Sequence, residues 1–402
     1  MKDFKRYALR LISVMMVLVL SLACFASCGS KNANAPIKND DGTLTIKIGG
    51  IGPLTGDYSN YGISVKEGAQ VAVNEINAAG GFNGLKFELM FEDSAADAAT
   101  AVAAYGKLLD DGMLISLGGT LSGETSSIVA AAKDDGILIL TASASALDAI
   151  KGNDAAFRVC FNDPQQGTAS AKYIADNGLA DKVAVFYQSD LDYSDGLYQT
   201  FRAECAVQGI EIIETQTFTK GSTADFTTQI NALKSAVDNG AKVIFLPIYA
   251  QEAATLLTQA KKAGLTGAAF FGCDGLDGIL DKIADKDDAE GTMLLTPFAA
   301  DSTEANVQSF VAAYKAAYGK TPDQFAAGGY DAIYSIKAAL EHCGYSNETE
   351  DWSDLNAKLV AAMTAIEVNG VTGKMKWTAD GEAQKNANAV IIKNGVAVPF
   401  EK

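Results

Sequence analysis

The chain has 402 residues, 48% of them hydrophobic, and a formal net charge of −17. A surface this acidic argues against a nucleic-acid-binding protein, because phosphates require a positive field. The length predicts two or more domains, and no apolar run after residue 23 is long enough to cross a membrane.

The N-terminus has the pattern of an export signal. Basic residues precede an apolar run at 11–23 that is too short for a mature membrane-spanning helix. The stretch Phe25-Ala26-Ser27-Cys28-Gly29-Ser30 resembles the lipobox of bacterial lipoproteins. We therefore expect residues 1–27 to be the signal peptide and Cys28 to be lipidated. Cys24 is the competing lipidation site, and a plain signal peptide is the alternative to both.

Residues 28–43 are polar, contain Pro36, and are predicted to form a flexible tether. Globular sequence is predicted to begin near Thr43. The leader carries a net charge of +3, so its removal leaves a chain with a charge near −20. That charge is typical of a soluble protein that does not adhere to anionic lipid.

The reactive side chains beyond the leader form no recognisable catalytic or metal-binding motif. The cysteines are far apart and lack a C-x-x-C pattern, which excludes a zinc site or a thioredoxin motif. We expect them to be small buried hydrophobic residues, with any disulfide pairing left open. They are Cys160, Cys205, Cys273 and Cys343. The single histidine, His342, has no partner for catalysis nearby in the sequence.

Strands and helices alternate from residue 44 to residue 140. The first predicted helix has an apolar stripe with a 4-3-4 spacing, formed by Val65, Ala69, Ala72 and Ile76. The predicted strands cover 44–50, 87–91, 114–117 and 137–140. This order predicts a parallel sheet with right-handed crossovers.

The glycines Gly50, Gly52 and Gly56 after the first strand suggest a dinucleotide-binding loop. The pattern fails because Thr55 occupies the third glycine position of G-x-G-x-x-G, and Pro53 removes a backbone donor. We therefore expect no cofactor.

The alternation restarts after residue 164. The predicted strands cover 183–187, 210–217, 243–246 and 268–271, with helices between them. Two further helices, near 304–318 and 325–343, precede short strands near 374–377 and 389–392. The sequence therefore predicts two α/β units of similar size.

Residues 143–145, Ser-Ala-Ser, follow the apolar run 136–140, which is typical of a strand buried on both faces. In open α/β sheets the ligand crevice lies at the carboxyl ends of the strands. Small hydroxylated residues there supply Oγ atoms and admit a ligand to the backbone N–H groups, which suits a carboxylate. An ordinary Ser-rich turn that caps the next helix is the alternative.

Four motifs resemble those of branched-chain amino-acid-binding proteins, which are the substrate-binding components of ABC importers. They are Ile48-x-x-Ile51-Gly52-Pro53-Leu54-Thr55-Gly56, Asn74-Glu75-Ile76-Asn77-Ala78-Ala79-Gly80-Gly81, Gly221-x-x-x-Asp225-Phe226 and Asp380-Gly381. The resemblance covers the chain after Thr43. It implies a periplasmic-binding-protein type I clamp, with two Rossmann-like α/β lobes of parallel sheet joined by three hinge strands. The implied lobes are 44–161 plus 297–387, and 162–296 plus 388–402.

The resemblance also implies a ligand-binding site, position by position. The matching residues are Ser122, Ser143, Ala144 and Ser145 for the ligand's carboxylate and ammonium, Tyr61, Tyr193 and Tyr249 for the cleft lining, Asp274 for the ammonium, and Phe325 for the border of the side-chain pocket. A zwitterion needs an anion cradle on one side and a carboxylate on the other, so ligand binding would favour closure. Asp274 is shorter than the family's glutamate, and Ser143 replaces an alanine. Leucine, isoleucine or valine is expected, with another polar or aromatic amino acid or an amide as the alternative.

The sequence distinguishes among an enzyme, a receptor and a solute-binding protein. An enzyme on this scaffold would need a nucleophile–base pair, a metal cluster or a phosphate loop, and the sequence contains none. A receptor would need a transmembrane segment after the lobes, and the chain stops at Lys402 without one. We therefore expect a monomeric solute-binding protein that is extracytoplasmic, either lipid-anchored or periplasmic. It would deliver its ligand to the permease and ATPase subunits of an ABC importer.

Overall fold

A computed structural model describes residues 35–385 and 388–400 of the chain. The predicted signal peptide and Cys28 lie outside these residues. The two α/β units are two lobes, each built on its own sheet, and the chain passes between the sheets three times. The fold class expected from the sequence is therefore confirmed.

The sheet of the first lobe is parallel except at one edge. Its strands are β1 (Ile37–Lys38), β2 (Leu44–Gly52), β3 (Leu85–Asp93), β4 (Ile115–Gly119), β5 (Ile139–Thr141) and β6 (Ala156–Arg158). β2 pairs with β3 and β4, and β5 and β6 follow in parallel. β1 pairs antiparallel with β2, Ile37 opposite Thr45, so the prediction of a tether as far as residue 43 is wrong from Ile37 onward.

The sheet of the second lobe also has an antiparallel edge. Its parallel strands are β7 (Lys182–Gln188), β8 (Glu211–Phe218), β9 (Val243–Leu246), β10 (Ala269–Gly272) and β11 (Met293–Thr296). A separate hairpin follows, formed by β12 (Glu367–Gly370) and β13 (Gly373–Lys376). β14 (Asn388–Lys393) and β15 (Val396–Pro399) then return antiparallel beside β11, and the Asn394-Gly395 turn joins them as predicted.

The helices cover the faces of both sheets. They are α1 (Ser59–Ala78), α2 (Ala98–Asp110), α3 (Ser122–Ala131), α4 (Asp163–Asp176), α5 (Asp192–Gln208), α6 (Thr227–Asp238), α7 (Ala250–Lys262), α8 (Ile279–Lys282), α9 (Ala305–Tyr318), α10 (Gln324–His342) and α11 (Leu355–Met363). Single 3-10 turns occupy Leu147–Ile150, Asp274–Leu276 and Lys286–Asp288. The predicted apolar stripe of α1 is buried along its whole length.

α10 packs along α1 at very close range, and two glycines permit this approach. A Cβ on Gly68 would overlap the carbonyl oxygen of Ala326, and one on Gly329 would overlap that of Val65. Only glycine leaves room for such backbone contact. The close packing fixes the N-terminus of α10, and with it Gln324 and Phe325, at the cleft between the lobes.

Candidate ligand-binding site

The polar residues predicted for the site lie just beyond the carboxyl ends of parallel strands. In the first lobe, Ser122 begins α3 soon after β4, and residues 143–145 follow β5. In the second lobe the corresponding residues after β7, β9 and β10 are Tyr193, Tyr249 and Asp274. This is the edge at which open α/β sheets bind ligands.

A small cavity lies between the lobes. Its lining includes seven of the nine predicted residues, which are Ser122, Ser143, Ser145, Tyr193, Tyr249, Asp274 and Phe325. Thr120, Leu121 and Gly275 complete the lining. Ala144 is fully buried and does not line the cavity.

Tyr61 does not line this cavity either, contrary to the prediction, and instead bridges the lobes. Its hydroxyl donates to the carbonyl oxygen of Gly275 at 2.6 Å and accepts from the N–H of Ala250 at 2.8 Å. Its ring lies 5.3 Å from that of Tyr249 and 4.7 Å from that of Phe325. Tyr61 therefore packs against the two aromatic rings that line the cavity, Tyr249 and Phe325, on their side away from the cavity.

Hydrogen bonds within the first lobe hold the hydroxyl-rich cradle in one conformation. The Ser143 hydroxyl donates to the carbonyl oxygen of Thr120 at 2.7 Å. The Thr141 hydroxyl accepts from the N–H of Ala144 at 3.2 Å. The Ser122 hydroxyl accepts from the N–H of Ala146 at 3.1 Å, which leaves its own proton for an anion. Ser143 thus has a structural bond, whereas Ser122 keeps a free donor.

Asp274 presents a buried carboxylate on the opposite side of the cavity. Its side chain accepts from the Tyr193 hydroxyl at 2.8 Å, and its backbone N–H donates to the Gln166 side chain at 3.1 Å. Burial raises the pKa of Asp274 to about 6. The ionised form is therefore unfavourable without a cation, and a ligand ammonium would favour it.

Asp163, the first residue of α4, is a second buried carboxylate that the sequence analysis missed. Its exposed fraction is 1%, its backbone N–H donates to the carbonyl oxygen of Ser145 at 2.9 Å, and its carboxylate oxygens accept no well-aligned hydrogen bond in the described part of the chain. Burial, followed by the charge of Asp274, raises the pKa of Asp163 well above its ordinary value, although the Ser145 hydroxyl and the charge of Arg158 act in the opposite direction. Its sequence context gave no signal, because Asn162 and Pro164 form an ordinary helix start.

Further contacts between the lobes surround the loop that carries Asp274. The Gln324 side chain donates to the carbonyl oxygen of Asp274 at 3.0 Å. The backbone N–H of Gln324 donates to the carboxylate of Asp277 at 2.9 Å. Asp323 caps the same helix end, accepting from the N–H of Ala326 at 2.8 Å. Burial and then the charge of Asp323 raise the pKa of Asp277 to about 7, while burial raises that of Asp323.

The other predicted features concern thiols, metals and membrane spans. The four cysteines in the described residues are free thiols, and Cys160, Cys205 and Cys273 are buried, as expected. Across residues 35–385 and 388–400 no group of three or more metal-binding side chains occurs. Within the same residues, no helix combines the length and apolar character needed to span a bilayer.

Comparisons with known proteins agree with this geometry. Residues 45–396 match the profile of a family described as periplasmic binding protein. The chain is 31% identical over 305 residues to Leu/Ile/Val-binding protein homolog 3 of Brucella melitensis, covering 76% of this chain and 81% of the relative. It is 29% identical over 339 residues to a leucine-, isoleucine-, valine-, threonine- and alanine-binding protein of Pseudomonas aeruginosa, covering 84% and 87%.

A solved structure gives the same result at the level of the fold. The branched-chain amino acid transporter substrate-binding protein of Streptococcus pneumoniae, solved with isoleucine, superposes with a TM-score of 0.79. The two sequences are 28% identical, over 88% of this chain and 97% of that one. The chain therefore belongs to the periplasmic binding proteins of type I, within the family of branched-chain amino-acid-binding proteins.

Proposed function

We propose that this chain is the solute-binding component of an ABC importer and binds an α-amino acid between its two lobes. One observation carries the proposal, namely the division of charge-binding groups across the cavity. Ser122 and Ser145 line the cavity on the first lobe and offer donors, whereas Asp274 is a buried acid that lines it on the second lobe. A carboxylate and an ammonium on one α-carbon match both sides only when the lobes are closed.

The ligand is proposed to be leucine, isoleucine or valine. Leu121, Tyr249 and Phe325 form an apolar part of the cavity wall. The Thr120 hydroxyl is already committed to the carbonyl oxygen of Ile51 at 3.2 Å, so it adds little polarity. The second candidate is a polar or aromatic amino acid or an amide, and the threonine and alanine in the name of the Pseudomonas relative favour a broader ligand range.

Binding without catalysis is part of the proposal. Burial raises the pKa of the thiols of Cys160 and Cys273 near the cavity, and a protonated thiol is a poor nucleophile. The Tyr193 hydroxyl donates to the Asp274 carboxylate. This bond orients the carboxylate as an acceptor for an ammonium, and the two groups do not form a nucleophile with its general base.

The chain is also proposed to be exported, anchored by a lipid on Cys28 and monomeric, with its lobes divided at 161/162, 296/297 and 387/388. The ligand would pass to the permease and ATPase subunits of the importer. Mass spectrometry of the mature N-terminus tests the anchor. We expect an acylated Cys28, and an unmodified N-terminus at another residue would contradict the anchor alone.

A thermal-shift screen of the twenty amino acids tests the proposed ligand class. A ligand that binds only the folded state stabilises it by about 2.7 kcal/mol at one hundred times its Kd. We expect leucine, isoleucine or valine to raise the melting temperature most. If none of the twenty raises it, the proposal of an amino-acid site is wrong.

A further inference from the structure

Arg158, the last residue of β6, is a fully buried cation directly behind the cradle. Its Nη1 donates to the carbonyl oxygens of Ala144 at 2.9 Å and Ala146 at 3.1 Å. Its Nη2 donates to Ala146 at 3.1 Å and to the carbonyl oxygen of Leu147 at 3.4 Å. The planar fork of a guanidinium allows one side chain to hold several carbonyls in this way, and a lysine cannot reproduce it.

The bond to Ala144 also determines the direction of the next N–H group. In a trans peptide the C=O and the following N–H point in opposite directions, and the described backbone contains no cis peptide. Because the Ala144 carbonyl points to Arg158, the N–H of Ser145 points away from it. Ser145 lines the cavity, and its N–H meets no acceptor in the described residues. A free backbone donor is thus aimed at the ligand side of the cradle.

Arg158 is in turn fixed by the segments that connect the lobes. Its Nε lies 3.2 Å from a carboxylate oxygen of Glu382, which also accepts from the Asn162 side chain at 2.8 Å. Its backbone N–H donates to Gly381 at 3.0 Å, and its carbonyl oxygen accepts from the Trp377 indole at 2.8 Å. The guanidinium therefore joins the cradle to the first and third connections between the lobes.

We propose that Arg158 is the positioning residue of the carboxylate cradle. It orients the peptide between Ala144 and Ser145 so that the Ser145 N–H donates to the carboxylate of the ligand. Arg158 does not itself line the cavity. The inference rests on the proposed amino-acid function but goes beyond it, because the Ser122 hydroxyl could bind a carboxylate without this peptide orientation.

Calorimetry with L-leucine and L-leucinamide as probes tests the inference. Leucinamide keeps the ammonium and side chain but lacks the carboxylate charge. We expect Arg158→Lys to weaken leucine binding about tenfold or more, the scale of a hydrogen bond to a charged group. It should change leucinamide binding far less, so that the preference for leucine over leucinamide shrinks. Equal losses for both probes would mean a purely structural role and would overturn the inference.

Trp377→Phe is the matched control, because it removes the indole bond to the Arg158 backbone and leaves the guanidinium in place. It should lower the melting temperature and keep the preference for leucine over leucinamide. A loss of that preference in Trp377→Phe would contradict a specific role for the guanidinium. If the wild-type protein binds leucine and Arg158→Lys keeps the same preference for leucine over leucinamide, only the inference about Arg158 is contradicted. A wild-type protein that binds no amino acid removes the proposed function as well.

A second measurement is made on protein that keeps Arg158, so it applies even if Arg158→Lys does not fold. The chain is labelled with 15N-serine, and the Ser145 amide signal is identified by its loss in Ser145→Ala. Leucine should move this amide proton downfield as it gains a charged acceptor, and leucinamide should move it less. An unchanged Ser145 amide signal at saturating leucine would overturn the inference.

Discussion

The two faces of the cleft differ in how far the protein itself satisfies their polar groups. On the first-lobe face, Ser143 and Thr141 are bonded within the lobe, and Arg158 holds the loop from behind. On the opposite face, Asp274 accepts from the Tyr193 hydroxyl, yet burial still raises its pKa, and a second buried acid, Asp163, lies near it outside the cavity lining. The first face is preorganised, whereas the second contains charge whose burial is unfavourable until a cation binds. The ammonium of the ligand should therefore contribute more to closure than its carboxylate.

Asp274→Asn is the change with the largest expected effect on this difference. The amide keeps the shape of the side chain but removes the charge that pairs with the ammonium, so affinity should fall by about 2–5 kcal/mol. Isothermal titration calorimetry with the best ligand of the thermal screen measures the loss. Asp238→Asn, an exposed position at the end of α6 in the same lobe, is the control and should bind as the parent does. Parent-like binding by Asp274→Asn would show that the ammonium is held elsewhere.

Asp163→Asn should separate ligand binding from stability. Affinity should fall less than in Asp274→Asn, because Asp163 does not line the cavity and acts on the site through the charge of Asp274. The melting temperature of the ligand-free protein should rise at neutral pH, because the parent must take up a proton at this buried acid on folding and the amide need not. Melting curves with and without ligand measure both effects. A lower melting temperature without ligand would mean that Asp163 has a stabilising partner when the site is empty.

Serine substitutions in the cradle should have smaller effects, and those effects should differ between positions. Ser122→Ala removes a free hydroxyl donor and should weaken binding by about 1 kcal/mol, because backbone donors remain. Ser145→Ala should act similarly. Ser143→Ala removes a bond to the Thr120 carbonyl and should lower stability more than affinity. Calorimetry and melting curves on the same three variants make the comparison, and equal affinity losses at all three positions would contradict the division of roles.

Closure should also carry a weak pH dependence through Asp277. In the closed state the groups around Asp277 are Asp323 and Asp274, while Lys320 and Asp281 act on Asp323. Closure raises the pKa of Asp277 from its ordinary value to about 7, so the closed state takes up a proton in that interval. The protonation of Asp277 therefore favours the closed state fully at a pH below the ordinary aspartate pKa. This stabilisation of the closed state is lost as the pH rises to about 7.

Titrations from pH 5 to pH 8 measure this dependence in the parent and in Asp277→Asn. The amide can still accept from the Gln324 N–H, so the variant keeps the contact and loses the titration. Parent affinity should decline with pH more steeply than that of the variant. Parallel curves would mean that Asp277 does not exchange a proton on closure.

Much of the fold could be predicted from sequence patterns, and most of the cavity lining from the resemblance to branched-chain amino-acid-binding proteins. Apolar runs such as 136–140 that end in small polar residues mark strands whose carboxyl ends face a ligand. β1 was missed because two residues carry no detectable period. β6 was missed because its last residue is an arginine, whose burial depends on carbonyls and a carboxylate from distant segments. Helices α4, α8 and α11 and strands β12 and β15 were not predicted either.

The site residues that differ from prediction differ for a similar reason. Tyr61 was expected to line the cleft, yet its hydroxyl bridges the lobes through Gly275 and Ala250. Asp163 looks like a helix-entry aspartate in sequence, and only the folded second lobe brings it near Asp274. In both cases the role depends on which groups the second lobe brings close, and no local pattern records that.

The most direct test of the contrast between the two faces divides the ligand into its charged halves. Calorimetric titration of the wild-type protein would compare L-leucine with 3-methylbutylamine, which keeps only the ammonium, and 4-methylpentanoate, which keeps only the carboxylate. We expect leucine to bind most tightly, the amine to bind measurably, and the carboxylate to bind more weakly than the amine, because it places an anion near Asp274 without a compensating cation. Binding of 4-methylpentanoate as tight as that of 3-methylbutylamine, or tighter, would contradict the claim that the buried acids make the ammonium the main determinant of closure.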